Sequence, residues 1–525
     1  MYNNCWSSLV AGLMMIRAAC DTIIYSFLGI KLNIFPHSHH RILTSCISNE
    51  ARTAKIKSRD QDCDSQEFLH RVDEELSWCF KGKHLLELSN KLKAQYYESL
   101  QNPSCMLPSF NYHLPTGNES GKFIAVDLGG STLRVAFIQL FGSDVFKPES
   151  EILSLKAFKI SSDVKNLSGH SFFKWLAARI EETLLEQEIP NTILPMGISW
   201  SFPLEQTSHR NGLLMKMGKG FSAADVLLKQ DLADLIENSC RSRGLNVHLD
   251  AITNDSSATL LAKSYSDNAT VLSLILGTGV NVGAHLPARL FPTSKFESRP
   301  PEWYASAKHI LVNTEISMIG KNMLPETEWD MKLKNDHPNP DYQPFEHFVS
   351  GRYLGEIIRL ILIDGIENEG FFGGVVPPSL RDKYSLETET ISQIESDQSS
   401  NHQKAFQILC ERHPSTAPPT KRDILALHSI SSRVTHRASG LVAAAIYALW
   451  QLRNEVNDIT VGNYTKSSVA CAGSVIEHYP GFKAACQEHL DSLVVANGGS
   501  TGILKLVSTT EGSLIGAAVA SAVAS

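Results

Sequence analysis

KFIAVDLGGSTLRVAFIQL, residues 122–140, consists of two β-rich runs on either side of Gly129-Gly130-Ser131-Thr132. The pattern predicts a hairpin whose turn is too tight for side chains at its glycines. Successive backbone N–H groups in such a turn can cradle phosphate oxygens. Asp127 ends the first run, where a carboxylate suits Mg²⁺ held through water, because hard cations prefer oxygen. A plain hairpin with Asp capping its turn accounts for this segment equally well. About 148 residues later the design recurs: TVLSLILGTGVNVGAHL (270–286) is again strand, Gly277-Thr278-Gly279, strand. Two such elements at half-chain spacing predict two related α/β lobes, each offering a phosphate loop to a shared cleft. Neither has the spacing of a Walker A loop or of the dinucleotide fingerprint, so the expected nucleotide site is built from hairpins.

The rest of the chain frames those two elements. Its 525 residues are 43% hydrophobic and 20% charged, enough for two large domains or three ordinary ones. A formal charge of −7 argues against nucleic acid, whose phosphates call for a basic surface. Ten cysteines without a C-x-x-C pair fit reduced thiols better than a disulfide framework or zinc ribbon. Residues 1–61 read as a basic, apolar extension. Within it, 9–30 is long enough to span a bilayer, yet Arg17 and Asp21 sit near its middle, each costing ~2.5–3.5 kcal/mol there. No membrane span is therefore expected; association with a membrane surface or an organelle address remains open. Phe68, Val72, Leu76, Phe80, Leu85, Leu88 and Leu92 recur at helical spacing, and Pro103–Pro115 reads as an extended connector. The stretch 383–402 is polar enough for a mobile loop, and its order is not decided by the sequence.

Further segments follow in order: MGISWSFPLEQTSHRNGLLMKMGKGF (196–221), AITNDSSATLLA (251–262), VNTEISMIG (312–320), YQPFEHFVSGRYLGE (342–356), SVACAGSVIEH (468–478) and EGSLIGAAVASAVA (511–524). With the two glycine turns they resemble the sugar kinases of the hexokinase family, from about residue 62 to the C-terminus. The resemblance implies a two-lobed α/β fold, the actin-like, duplicated ribonuclease-H-like architecture, with an interdomain cleft. Its halves would be 62–265 and 266–525, the smaller lobe taking roughly 119–256 plus the last twenty or so residues. It implies ATP with Mg²⁺ and a small sugar as ligands, and Asp255 as the base that accepts the proton of the attacking hydroxyl. Sugar contacts would come from Ser201, Phe202, Pro203, Lys219, Asn254, Asn281, Glu315, Gln343 and Glu346. ATP contacts would come from Asp127, Gly129, Gly130, Ser131, Thr132, Arg134, Gly277, Thr278, Gly279, Gly473, Ser474 and Gly512, with Asp127 also holding Mg²⁺ through water. Outside this context Ser-Phe-Pro is a strand-ending turn, Asn-Asp a surface turn, either Glu a solvated residue, and the C-terminus an Ala-rich packing helix.

Departures from the family pattern cluster around the sugar. Ser131-Thr132 replaces Thr-Asn, Gly218 replaces the Thr of T-K-G-F, and Ile316-Ser317 replaces Trp-Gly. Gly218 and Ile316 both remove bulk, as a larger substituent at sugar C2 would require. The combination is similar to the fungal N-acetylglucosamine kinases of that family, which implies phosphorylation of N-acetylglucosamine at its 6-hydroxyl. A glucose kinase and a non-catalytic sugar-binding regulator are the competing readings. The expected location is cytoplasmic, with organelle-membrane association through residues 1–45 as the variant; oligomeric state leaves no mark in the sequence.

Overall fold

All six residues from Phe123 to Leu128 are buried, so this strand is covered on both faces, as in sheets with helices above and below. The computed structural model describes residues 66–80, 83–143, 146, 148–187, 192–296, 299–455 and 464–524. The N-terminal extension, and the membrane association placed on it, lie outside the described residues. Among the described residues the strands are β1 (Leu107–Pro108), β2 (Ser120–Leu128), β3 (Thr132–Phe141), β4 (Ser150–Lys159), β5 (Leu194–Trp200), β6 (Leu204–Gln206), β7 (Gly212–Leu214), β8 (Val247–Thr253), β9 (Thr270–Leu276), β10 (Val280–Pro287), β11 (His309–Asn313), β12 (Ser467–Ala472) and β13 (Leu504–Ser508). The longer helices are α1 (His84–Ser99), α2 (His170–Leu184), α3 (Leu232–Arg241), α4 (Asp255–Ser266), α5 (Gly351–Glu369), α6 (Lys421–Glu455), α7 (Phe482–Ala496) and α8 (Gly512–Ala524).

Two sheets share one winding. The first has the order β4-β3-β2-β5-β8 and the second β1-β11-β10-β9-β12-β13. In each, a hairpin (β2–β3, β9–β10) carries an antiparallel neighbour on one side and two parallel strands on the other. This is the duplicated two-lobed α/β architecture expected above. The site segments follow the carboxyl ends of β2, β5, β8, β9 and β12, the edge where α/β sheets bind ligands. The polar stretch 383–402 is not all loop: Thr388–Glu395 is helical, with Thr390, Ile391 and Ile394 buried. Among the described residues no helix is long and apolar enough to cross a membrane, and Cys105, Cys240, Cys410, Cys471 and Cys486 are unpaired.

The two-residue period of β2 sorts its side chains into two cores. Ile124, Val126 and Leu128 join Phe172, Phe173 and Ile236 under α2 and α3. Phe123 and Ala125 point the other way, to Leu514, Ala517 and Ala518 of α8 and Leu260 and Leu261 of α4. Small residues on that face let α8 lie close: a Cβ at Gly197 would stand 1.8 Å from the Ala517 carbonyl oxygen. Where α8 crosses α4, a Cβ at Gly516 would stand 1.8 Å from the Ala258 carbonyl oxygen. Neither neighbour can yield, since both are backbone. Gly516→Ala is expected to lower stability by at least ~2 kcal/mol through forced separation of the helices. A thermal melt within one degree of the parent's would show that the crossing tolerates a methyl group.

Candidate functional site

Local signals place the base. Asn254 leaves β8 in extended backbone and caps α4, its side-chain oxygen accepting from Ser257 N at 2.9 Å. Its Nδ2 donates to Ser256 Oγ at 3.0 Å, so the side chain expected to hold a sugar hydroxyl is already engaged in the cap. Asp255 is thereby fixed as the first residue of α4. Burial, the charge of Asp127 and that of Glu315 push its carboxyl up to about 6, against a backbone bond from Ser256 and the Lys219 ammonium.

Lys219 acts by its charge on carboxylates of both lobes. Its ammonium favours the charged forms of Asp255, Glu315 and Glu346 alike, so one cation serves three carboxylates drawn from both lobes. The Nζ donates to Ser201 O at 2.8 Å and lies 4.9 Å from the centre of the Phe202 ring. Phe202 itself is buried between Trp200 and Phe221. It is therefore a floor beneath Lys219 rather than a sugar contact, because its face is already packed. Pro203 is exposed beside it.

Glu315 and Glu346 are held differently. Asn281 Nδ2 donates to Asn313 Oδ1 at 2.9 Å, and Asn313 Nδ2 donates to Glu315 Oε1 at 2.7 Å. Glu346 Oε2 accepts from Val280 N at 3.0 Å. Burial raises both carboxyls above the usual range. Gln343 donates to Ser317 Oγ at 3.3 Å. Lys219 (φ 51°), Glu315 (φ 50°) and Gln343 (φ 55°) all have left-handed backbone, a strain that persists only where surroundings over-determine it and that clusters at functional sites.

The glycine turns have unequal reasons for being glycine. Neither Gly129 nor Gly130 has positive φ. A Cβ at Gly129 would have 3.5 Å to Thr132 O, so the turn itself is not too tight. What Gly130 avoids is Lys219, whose Cδ would be 3.0 Å away. At the second turn a Cβ on Gly279 would meet Glu346 Oε2 at 2.7 Å, and one on Gly277 would meet Ser474 N at 3.3 Å. A Cβ on Gly473, before the short helix Ser474–His478, would stand 2.4 Å from Leu276 O. The backbone N–H groups of Gly130, Ser131, Thr278 and Gly279 have no acceptor among the described residues, leaving four donors free for anionic oxygens. Ser131 and Thr132 are exposed, and Thr132 opens β3 instead of lying in the turn.

Asp127 and Arg134, both expected at the nucleotide, contact each other. Arg134 Nε donates to Asp127 Oδ2 at 3.0 Å, and its Nη1 to Glu511 Oε2 at 2.8 Å. Ser513 joins them, donating to Asp127 Oδ2 at 3.0 Å. Gly512 lies between these two new members and packs on Thr259. Glu511 and Ser513 are not among the expected contacts, and nothing local links 511–513 to Asp127; Asn313 is matched with Glu315 by the segment VNTEISMIG.

Two of the expected departures read differently in three dimensions. Gly218 has open space around a Cβ but φ of +71°, a conformation that a β-branched Thr strongly disfavours. Ile316 is 1% exposed within the second lobe's core, so it removes no bulk from the cleft.

Two family models, each described as Hexokinase, match residues 73–265 and 271–523. Glucokinase-1 of Kluyveromyces lactis is 31% identical over 79% of this chain and 88% of its own length. N-acetylglucosamine kinase 1 of Candida albicans is 29% identical over 88% of this chain and 95% of its own. The hexokinase of Schistosoma mansoni solved with glucose superposes with a TM-score of 0.70 and 26% identity, over 87% of this chain and 99% of that one.

Asp255 should titrate near 6 in a ¹³C carboxyl experiment, not near its ordinary 3.8. The folded state holds this proton more tightly than the unfolded chain, so the stability it contributes is complete below the unfolded value and is lost as pH rises through 6. Asp255→Asn should therefore melt a few degrees above the parent at about pH 8 and lose that advantage at about pH 4. A parent at least as stable as the variant at the higher pH would overturn the buried-charge reading.

Proposed function

The chain belongs to the hexokinase family and is a hexokinase-type sugar kinase; within that class we propose that it transfers the γ-phosphoryl group of ATP to the 6-hydroxyl of N-acetylglucosamine. The observation that carries the chemistry is the Asp255 carboxyl at the start of α4, raised to about 6 by loss of solvation and by the charge of Asp127, so that it is ionised at neutral pH yet able to take a proton. Asp255 takes the hydroxyl proton while that oxygen attacks the γ-phosphorus. The bond to the bridging oxygen breaks and ADP leaves with its electrons. A positioned base contributes ~10²–10⁴-fold. Little covalent help is needed beyond that, because phosphoryl transfer depends mainly on positioning and on neutralising charge. The four free N–H groups of the glycine turns are suited to phosphate oxygens. Glu315 and Glu346 are suited to sugar hydroxyls as charge-assisted acceptors.

Asp127 fits a Mg²⁺ ion held through water. It is a hard oxygen donor, and its Oδ1 takes no hydrogen bond among the described residues, all of its partners being on Oδ2. No group of three metal-ligating side chains occurs among them, so the ion's other partners would be phosphate oxygens and water. The ion, when bound, supplies charge neutralisation at the phosphates.

The choice of sugar rests on the motif combination and on the longer span shared with the Candida N-acetylglucosamine kinase than with the Kluyveromyces glucokinase (88% against 79% of this chain); Gly218 is exposed and its glycine answers to a positive φ. Ile316, buried in the core, adds nothing to it. A pocket enlarged by a methyl-sized space discriminates by only ~1–3 kcal/mol, so some glucose turnover is expected to persist. A hexose kinase proper is the second reading, favoured by the glucokinase's 31% identity.

Coupled ADP release with N-acetylglucosamine and glucose decides between them. The expected result is a higher kcat/KM for the acetylated sugar, with an acid limb near pH 6 set by Asp255; a higher value for glucose would retain the kinase and replace its substrate. Loss of the acid limb, or Asp255→Ala turnover within tenfold of the parent, would remove Asp255 from the role of base.

A further inference from the structure

Asp127 Oδ2 receives Arg134 Nε, Arg134 Nη2 and Ser513 Oγ at once. The same Arg134 Nη2 donates to Ser513 Oγ at 2.7 Å, and its Nη1 to Glu511 Oε2 at 2.8 Å. Arg134 thus uses three nitrogens on a carboxylate 7 positions earlier in the chain and on two residues 377 and 379 positions later. A guanidinium is a planar fork, so fixing both of its ends fixes its plane, and with it the carboxylate that faces it. The second end is Glu511.

Glu511 is built into this place at a cost. It has φ of +50°, strained for a residue with a Cβ. Its carbonyl accepts Ile515 N at 2.9 Å as the opening bond of α8. Since α8 is held against Ala258 and β5 by backbone contact at Gly516 and Gly197, residues 511–513 cannot follow a moving Arg134. They are an anchor for it.

We propose that Glu511 and Ser513 are positioning residues for the metal-dependent part of nucleotide binding: by clamping Arg134 they hold Asp127 with Oδ2 occupied and Oδ1 presented to hydrated Mg²⁺. Neither residue touches the nucleotide in this scheme; each acts through Arg134 or Asp127. The inference rests on the kinase reading for its relevance to turnover, but binding alone can test it.

The test is calorimetric titration of ADP into the full chain, with and without Mg²⁺, for the parent, Glu511→Gln and Ser513→Ala. Glu511→Gln keeps the size of the side chain and removes its charge. The expected result is that Kd for Mg-ADP rises at least fivefold in Glu511→Gln and more modestly in Ser513→Ala, while Kd for metal-free ADP stays within twofold. A purely structural role would instead weaken both forms equally alongside a lowered melting temperature. That outcome, or unchanged Mg-ADP affinity, overturns the proposal. Glu511→Asp, which keeps the charge, should recover part of the loss. In turnover, Glu511→Gln should raise the Mg²⁺ concentration needed for half-maximal rate with KM for sugar within twofold. A parent that phosphorylates no sugar yet shows the Mg-specific loss on titration would remove the kinase reading and leave the clamp standing.

Discussion

The crossing of α4 and α8 is the contact on which the site depends. Each helix opens on functional residues: α4 on Asn254 and Asp255, α8 on Glu511 to Ser513. They meet with Gly516 against the Ala258 carbonyl, closer than any side chain would allow. The start of α4 is pinned from the second lobe as well. Ser273 Oγ donates to Ser256 O at 2.6 Å, and a Cβ at Gly283 would stand 2.7 Å from that same oxygen. The base therefore sits at a point fixed by the Ser273 hydroxyl of β9 and by close backbone approaches at Gly283 of β10 and Gly516 of α8. The two backbone approaches are stiff, because nothing in them can change rotamer.

That stiffness sustains an arrangement unfavourable to the empty protein. Asp127, Asp255, Glu315 and Glu346 converge with Lys219 as the cation that serves three of them. Burial and like charge raise Asp255, burial chiefly raises Glu315 and Glu346, and four residues of the site or its clamp hold left-handed backbone: Lys219, Glu315, Gln343 and Glu511. Strain and charge repulsion of this kind subtract from stability. They persist where the scaffold has few alternatives. The surrounding cores supply that constraint, with Phe202 and Phe221 stacked edge to face under Lys219.

Legibility in the sequence follows the range of the interaction. The hairpins β2–β3 and β9–β10 could be read because period, glycine turn and buried run lie within twenty residues, and their repetition disclosed the doubled fold. Helical spacing foretold Phe68, Val72, Leu76, Leu85, Leu88 and Leu92 as core residues. Asp255, Lys219, Glu315 and Glu346 could be named through family motifs, though their shared electrostatics could not. What stayed hidden was decided at distance. Gly130 lies against the stem of a lysine from another segment, Phe202 is a floor because Trp200 and Phe221 enclose it, and Ile316 is core although its neighbour Glu315 shares the electrostatics of Asp255 and Lys219. The bond from Ser513 to Asp127 joins residues 386 apart, a pairing no window on the chain contains.

The duplication has not produced two equal phosphate loops. Around the second turn most of the nearest neighbours are backbone: Gly473 on Leu276 O, Gly277 on Ser474 N, and Gly351 on Gly277 O, with a Cβ there at 2.8 Å; Gly279 instead faces a side chain, that of Glu346. Gly351 N also donates to Gly277 O at 2.7 Å, and Arg352 N to Thr278 O at 3.2 Å. This loop is a fixed platform, part of the second lobe's packing. The first turn has only the Lys219 side chain close to Gly130, and its partner Asp127 is steadied from outside by the C-terminal helix. A lysine stem can swing where a carbonyl cannot. Adjustment to a ligand therefore falls on the first loop and Lys219, while the second loop sets the frame. Similar topology in two lobes thus yields one rigid and one adaptable anion site, distinguished by what stands behind each glycine.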